Sequence, residues 1–387
     1  ILNFVLIWIL STFQSLFLIM IVVSVTVLIL SIRTNYFYLT GIIFFITIAF
    51  SFLFLNNDLD KQIRKMAFPG QEITFAKDSP FGVFVITKQN GQTNYYENNV
   101  LMASSGDVVS REESVHLSMV QHPDPKNVLV LSGITSGIVD EIVKYPIESI
   151  DYVDVNPEVM ELAKKYFKAE SYQSLKLIKK DAIRYIKHNT KKYDVVMINL
   201  PKPSTIQLNR YYTSEFFGML KDCLSNNAVV SLSLPSSANY LNEESKKFLS
   251  IIYGTLQSEF KNVMVLPVGQ DFLLASDAEL SYQIAERIDQ RNIQNEYVNP
   301  FYFDDELLKM RSQQITGQLN PEAPLNKYFS PVFYQSQIKL WMSRFNIQYW
   351  IPAILIILFS GFFFVKAGRV YKGVFAAGFA GTSIEIV

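Results

Sequence analysis

The sequence predicts an α/β protein: a doubly wound, mostly parallel sheet preceded by a small β domain and flanked on both sides by transmembrane α-helices. Three observations predict it. From about residue 127 to residue 293, short continuous apolar runs alternate with segments of helical period, the pattern of strands buried on both faces. Residues 68–105 carry β-rich runs around a strong hairpin turn. At both ends of the 387-residue chain, apolar residues concentrate in long stretches nearly free of charge.

The terminal stretches are Ile1–Ile32, Phe37–Leu55, Tyr349–Val365 and Gly373–Val387, the last apolar apart from Glu385. Lengths near 20 residues suit a hydrocarbon core about 30 Å thick. A buried core helix that long would show a polar face, and these show none. Residues 1–56 and 346–387 are therefore expected to be membrane helices. The chain opens at Ile1 and stops at Val387 inside apolar runs, so it is expected to be truncated at both ends. No basic leader or small-residue cleavage site marks a signal peptide. Short loops with Arg33 and with Lys366, Arg369 and Lys372 fall on the side opposite the middle block, which leans that block slightly towards the extracytoplasmic side. Lys61, Arg64, Lys65, Lys339 and Arg344 weaken that lean. An acid within an apolar span is costly, so Glu385 reads as a proton path or an interhelical bond among Gly378, Gly381, Thr382 and Ser383. A single structural hydrogen bond is the bland alternative. A bacterial inner membrane is the expected location.

Residues 57–106 form the small β domain, with runs at Ile73–Phe75 and Phe81–Thr87 and the turn Asn90-Gly91. Residues 107–293 form the main domain. Its strands are predicted at Val128–Leu131, Ile150–Val155, Leu175–Ile178, Val195–Asn199, Ala228–Leu234, Val263–Leu266 and Phe272–Ala275. Its helices are predicted at Gly137–Lys144, Pro157–Phe167, Ala182–His188, Ser214–Leu224, Glu243–Glu259 and Leu280–Asn292. Residues 294–345 are expected to return along the domain to the membrane.

Composition excludes several functions. With 35 basic and 35 acidic residues the formal charge is zero, which gives no attraction for nucleic acid. One cysteine, Cys223, excludes an internal disulfide. Three widely spaced histidines (His116, His122, His188) give no zinc spacing, and no metal is expected.

In a parallel sheet, ligands bind at the carboxyl ends of the strands. The first strand runs into Ser132-Gly133-Ile134-Thr135-Ser136-Gly137, where Gly133 and Gly137 allow close backbone approach to a ligand before a helix start. The second strand ends at Asp154, placed to hold ribose hydroxyls, and Asp181 follows the third, where it could accept from an adenine amino group. Either acid could equally cap the helix after it. Tyr211 and Tyr212, with Arg210, are pocket candidates or packing aromatics capped by Thr213. Glu112 and Glu113 read as a solvated helix face, with an acidic acceptor patch as the sharper alternative.

The runs Asn127–Gly137, Val153-Asp-Val-Asn-Pro157, Asp181-Ala182 and Asn209-Arg-Tyr-Tyr-Thr-Ser-Glu-Phe-Phe217, with Ser79-Pro-Phe-Gly82 and His122-Pro-Asp-Pro125, resemble spermidine synthase, and more closely its membrane-fused members. The likeness covers roughly Glu72–Ser276. It implies a seven-stranded methyltransferase-like (Rossmann-like) sheet, decarboxylated S-adenosylmethionine as aminopropyl donor and a diamine acceptor. Asp154 would hold the ribose, Asp181 would sit near adenine, and Gly133 and Gly137 would remain from the family's Gly-Gly-Gly-Asp-Gly-Gly-like loop. The departures are Ser132, Ile134, Thr135 and Ser136 in that loop, Gly82 and Met102 at glutamine positions, and Lys202 where the family's Asp-Pro carries its aspartate. A lysine repels a cationic amine by several kcal/mol at an effective dielectric near 20. Lys202 could instead be a plain solvated charge.

These departures predict a domain without aminopropyl transfer, acting as a binding or structural subunit of a membrane assembly. Its expected partners are the bilayer and other membrane subunits or further copies of itself. The alternative is a membrane-bound transferase using S-adenosylmethionine or its decarboxylated form on an unidentified acceptor. A transporter-like unit with a sensing domain is a third reading, resting on the spans and Glu385.

Overall fold

A computed structural model of the protein describes residues 10, 12–32, 37–54, 57–79, 82–133, 137–167, 171–200, 203, 205–234 and 243–344, with isolated positions at 354, 358 and 361. Lys202, Glu385 and almost all of the two C-terminal apolar stretches lie outside the described residues.

The N-terminal apolar sequence folds into helices α1 (Thr12–Ser31) and α2 (Phe37–Phe54). Their hydroxyls turn back onto the helix, as with Thr26 on the Val22 carbonyl and Thr47 on that of Ile43. Ser31 and Thr40 hydrogen-bond to each other at 2.5 Å and tie the pair together. The expected membrane spans are corrected here: among the described residues no helix is long and apolar enough to cross a membrane. Leu30, Phe45 and Phe52 nonetheless stay largely exposed on the pair. Helix α3 (Asn57–Ala67) carries Arg64, which meets Asp78 at 2.7 Å.

Strands β1 (Glu72–Ser79), β2 (Gly82–Gln89), β3 (Gln92–Glu97) and β4 (Val100–Ser104) form an antiparallel sheet in chain order. Asn90 and Gly91 turn β2 into β3 with φ of 50° and 83°, the left-handed pair a two-residue hairpin needs. Asn98 and Asn99 (φ 51° and 63°) do the same between β3 and β4. Asn98 also accepts from the Val83 amide, and a Cβ on Gly82 would lie 2.5 Å from its side chain. Gly82 is thus required by its neighbour in this chain, whatever the related sequences carry there.

Two compact units divide the chain: Ile1–Asn199 with Cys223–Ser233 and Leu280–Leu308, and Leu200–Asp222 with Leu234–Glu279 and Lys309–Val387. Seven strands make up the second sheet. In the first unit, β5 (Asn127–Leu131), β6 (Ser149–Asp154), β7 (Leu175–Lys179), β8 (Tyr193–Ile198) and β9 (Leu224–Leu234) run parallel in the order β9-β8-β5-β6-β7. Val128–Leu131, Val195–Ile198 and Val229–Val230 are buried, as strands covered on both faces must be. Helices α4 (Val108–Met119), α5 (Ile138–Ile142), α6 (Pro157–Phe167) and α7 (Ala182–Lys187) alternate with them.

In the second unit, α8 (Ile206–Asn209) leads through a 3₁₀ turn at Arg210–Tyr212 to α9 (Ser214–Lys221), with α10 (Glu243–Gln257) after it. Thr213 caps α9 by accepting from the Phe216 amide. Strands β10 (Asn262–Pro267) and β11 (Asp271–Ser276) pair antiparallel. The buried Asn326 organises this unit: its amide donates to Asn209 Oδ1 and the Tyr212 carbonyl, and its backbone N–H donates to Thr255.

The chain re-enters the first unit at α11 (Ile284–Gln290), shorter than its predicted span Leu280–Asn292 because Ser281 and Gln283 form a turn before it. Beyond it, the backbone N–H groups of Glu296, Tyr297 and Val298 all donate to the Glu112 carboxylate at 2.7–2.8 Å. The solvated face expected at Glu112 and Glu113 is therefore wrong. Each is 1 % exposed, and Glu112 holds a loop from far along the sequence. Helices α12 (Asp305–Thr316) and α13 (Val332–Arg344) complete the described chain.

Candidate functional site at the carboxyl edge of the parallel strands

Beyond β5 the chain is pinned to both neighbouring strands. The Ser132 amide donates to the Val153 carbonyl and the Asn199 amide to that of Leu131, each at 3.0 Å. Ser132, Gly133 and Gly137 all lie in the left-handed region, at φ 65°, 84° and 74°. For Gly133 this is a steric demand, because an added Cβ would fall 2.6 Å from the Asn199 Cβ. At Gly137 the Arg111 side chain stands 3.4 Å from where a Cβ would be. Residues 134–136 lie outside the described chain.

Asp154 ends β6 and is 8 % exposed. Its Oδ2 accepts from Ser132 Oγ (2.9 Å) and Tyr152 OH (2.8 Å), and its Oδ1 from the Asn156 amide (2.8 Å). Burial pushes the carboxyl up, opposed by those hydrogen bonds. The register pairs Asp154 with Lys179, which sets Asp181 on the same edge, two residues past β7. There Asp181 caps α7, accepting from the Arg184 amide at 3.0 Å. Gly133, Gly137, Asp154 and Asp181 thus share one edge of one unit.

Sequence reasoning missed Glu97. The β3–β4 hairpin carries this carboxyl to Asp154, where burial first and the Asp154 charge second push it up to about 7, against a hydrogen bond with the Asn156 side chain. Asn156 also accepts from the Glu158 amide at the start of α6. No periodic pattern marks Glu97; its one signal is its place before the turn pair Asn98-Asn99. Also missed was Asn199, directly after β8: its Nδ2 is buried and has no hydrogen-bond partner among the described residues.

Tyr211 and Tyr212 belong to the second unit, where their rings are spent on packing. Tyr212 is fully buried beside Phe333, and its hydroxyl donates to the Leu200 carbonyl at 2.9 Å. Tyr211 sits edge-on to Phe216 and takes a hydrogen bond from Arg210.

A second polar cluster lies behind the glycine turn. His116, wholly buried, bonds Tyr145 OH at 2.8 Å and Glu141 at 3.1 Å, and Glu141 also meets Arg111 and Lys144. Burial holds the His116 imidazole below its ordinary value; burial also pushes the Glu141 carboxyl up, but His116 and Lys144 together outweigh it and draw that carboxyl down to about 2. A groove of about 540 Å³ is lined by Phe75 and Lys77 of β1 and by Glu158 and Lys165 of α6 among others, and by none of Gly133, Gly137, Asp154 and Asp181. Its oppositely charged side chains pair with each other, as Lys77 does with Glu158 at 2.8 Å, so the strand-end edge is the better candidate site. Among the described residues no cluster of metal-ligating side chains occurs.

Residues 108–266 match the Spermine/spermidine synthase domain. A polyamine aminopropyltransferase of Leptospira interrogans is 29 % identical over 192 residues, 47 % of this chain and 39 % of the relative. One of Methanocaldococcus jannaschii is 28 % identical over 182 residues, 45 % of this chain and 60 % of the relative. The chain thus spans about two fifths to three fifths of these relatives' lengths. Among solved structures, a spermidine synthase in complex with the transition-state analogue AdoDATO superposes with a TM-score of 0.54 at 18 % identity, covering 64 % of this chain and 89 % of that one. The spermidine synthase of Thermotoga maritima gives 0.53 at 17 %, covering 64 % and 88 %. The fold is therefore the α/β methyltransferase-like fold of spermidine synthase with a mixed sheet. These matches, and the lack of a membrane-crossing helix among the described residues, overturn the expected membrane-embedded pseudoenzyme, its role as a subunit of a membrane assembly and its inner-membrane location. Lys202, whose charge underlay that expectation, lies outside the described residues.

Proposed function

We propose that the spermidine synthase domain of this chain binds an S-adenosyl nucleoside at the carboxyl edge of β5, β6 and β7 and transfers the carbon chain on its sulfonium to an amine. In such a transfer the amine nitrogen bonds the chain carbon as the carbon–sulfur bond breaks. The nucleoside leaves as 5′-methylthioadenosine, and the amine gives up a proton. The observation that carries this reading is Asp154, a buried strand-end carboxylate fixed by three hydrogen bonds beside a left-handed glycine turn. As an ionised carboxylate it would be an acceptor for a ribose hydroxyl. Gly133 and Gly137 carry no side chain at their own positions beside the place given to the nucleoside, and Asp181 is assigned to the adenine side. Glu97, with its carboxyl near neutrality, is able to share a proton at this edge. The names of the relatives support the same reaction type.

Calorimetric titration of the full chain with 5′-methylthioadenosine tests the proposal. Binding should weaken about ten- to hundredfold in Asp154→Asn, the loss of a hydrogen bond to a charged group worth about 1.5–3 kcal/mol. Equal binding by both proteins, or none by the native chain, would refute it.

A further inference from the structure

Charge is balanced over the chain but not over its surface. In the first unit β7 is the last strand of its sheet, paired with β6 alone among the described strands. Along it and the helix that follows stand Lys176, Lys179, Lys180, Arg184 and Lys187, all exposed and none in an ion pair among the described residues. Lysines on an edge strand blunt strand-to-strand pairing, which accounts for Lys176 and Lys179. It does not account for Arg184 and Lys187, one turn apart on the outer face of α7, whose Ala182 and Ile186 are buried. Asp181 is the one acid between Ser171 and Lys192, and it is engaged by the Arg184 amide.

The same unit carries a surface of the opposite sign. Glu286 and Asp289 lie one turn apart on the outer face of α11, and Glu296, Asp304 and Glu306 follow; all five are exposed and meet no cation among the described residues. Asp305 accepts from the amides of Ala285 and Glu286, which sets the acids at the start of α12 beside the start of α11. The two arginines of this stretch turn inward: Arg287 donates to the Val120 carbonyl, and Arg291 to those of Met119, Val120 and His122. Between the acids, Phe301 is 92 % and Tyr302 72 % exposed. Bare aromatic rings inside a charged rim are the anatomy of a protein–protein contact.

We propose that the basic edge formed by β7 and α7 docks the acidic α11 face of a second copy of this chain, so that copies associate head to tail. The occupant follows from charge: the two faces are complementary in sign, and neither is neutralised by ion pairs within its own copy among the described residues. Leu177 and Ile178, half-buried on the edge strand, give the aromatic rings an apolar surface between the lysines. Nucleic acid fits less well, because it would meet a formal charge of zero and the repulsion of the acidic face on the same unit. Since the two faces differ, the contact is heterologous, and each copy keeps one face of each sign for a further neighbour. The inference is independent of the nucleoside-binding reading.

Sedimentation velocity of the full chain tests it at about 0.01 M and about 1 M salt, where charges act over about 30 Å and about 3 Å. The native protein should assemble in low salt and come apart in high salt. Lys176→Glu with Lys187→Glu, and separately Glu286→Lys with Asp289→Lys, should each weaken association at least about tenfold, as several exposed ion pairs turn repulsive. An equimolar mixture of the two variants should recover it, because the reversed faces complement each other and the untouched faces still do. Should a reversed variant fail to fold, Lys176→Gln with Lys187→Gln takes its place and should weaken association about threefold. A native chain that stays monomeric in low salt, association that salt leaves unchanged, or variants that do not recover on mixing would overturn the proposal. A monomeric native chain that binds a DNA duplex in low salt, and loses it with Lys176→Glu and Lys187→Glu, would give the basic edge to nucleic acid instead.

Discussion

Replacing Glu97 by glutamine should make the protein more stable above neutral pH, because the native carboxyl is held in an environment that disfavours its charge. Burial, and then the Asp154 charge, push its pKa from the ordinary 4.5 up to about 7. Below about pH 4.5 both native and unfolded chains carry the proton, so the group is neutral towards stability. Between 4.5 and about 7 the native chain keeps a proton that the unfolded chain has released, and stability falls as pH rises. Above about 7 the loss is constant. At about 1.36 kcal/mol per pKa unit the whole rise would be worth roughly 3.4 kcal/mol. Glu97 is only partly buried, and solvent screening brings that to about 1–2 kcal/mol. Urea titrations of native and Glu97→Gln protein, followed by circular dichroism from about pH 5 to pH 8, should show curves that meet at the acid end and separate by that amount at the basic end. Parallel curves, or a variant less stable throughout, would refute the account. Asp154→Asn should flatten the native curve in part, since it removes the second cause.

Three more outcomes follow from the packing. Gly133→Ala forces a Cβ onto Asn199 at a φ of 84° and should cost about 1–3 kcal/mol in a denaturant titration, with weaker nucleoside binding. Glu112→Ala strips three backbone N–H groups of their acceptor and should cost at least about 3 kcal/mol, with early protease cleavage near residues 296–298. His116 is held below its ordinary value of 6.5, so the unfolded chain takes up a proton the native chain refuses, and stability falls as pH drops below about 6.5. In the Glu97→Gln background, His116→Gln should remove that acid-side slope; an unchanged slope would show that the histidine is not its source.

The strands of the parallel sheet were legible because burial on both faces leaves unbroken apolar runs such as Val128–Leu131, and Asn90-Gly91 announced its hairpin by a conformation few other residues accept. The positions of Gly133, Gly137, Asp154 and Asp181 at the strand ends were legible for the same local reasons. What escaped was set by distant partners. Glu112 looks like a solvated helix residue until a loop more than 180 residues away closes on it, and Glu97 becomes unusual only when a hairpin from another sheet sets it beside Asp154. Asn199 carried no signal, since an unsatisfied donor exists only in three dimensions. The N-terminal apolar runs misled in the opposite way: composition suggested membrane spans, whereas among the described residues no helix is long and apolar enough to cross a membrane.

The Glu112 clamp bears on how the molecule can be divided. The recognised domain ends at residue 266, yet a carboxylate near its beginning is neutralised by amides at 296–298, and Gln121 exchanges two hydrogen bonds with the backbone of Ser281. A shortened polypeptide ending at the recognised boundary would lose the three amides that cover and bond Glu112 and the backbone partner of Gln121. The tail after that boundary is therefore part of the folding unit, and a truncation that keeps every binding residue would still be expected to aggregate.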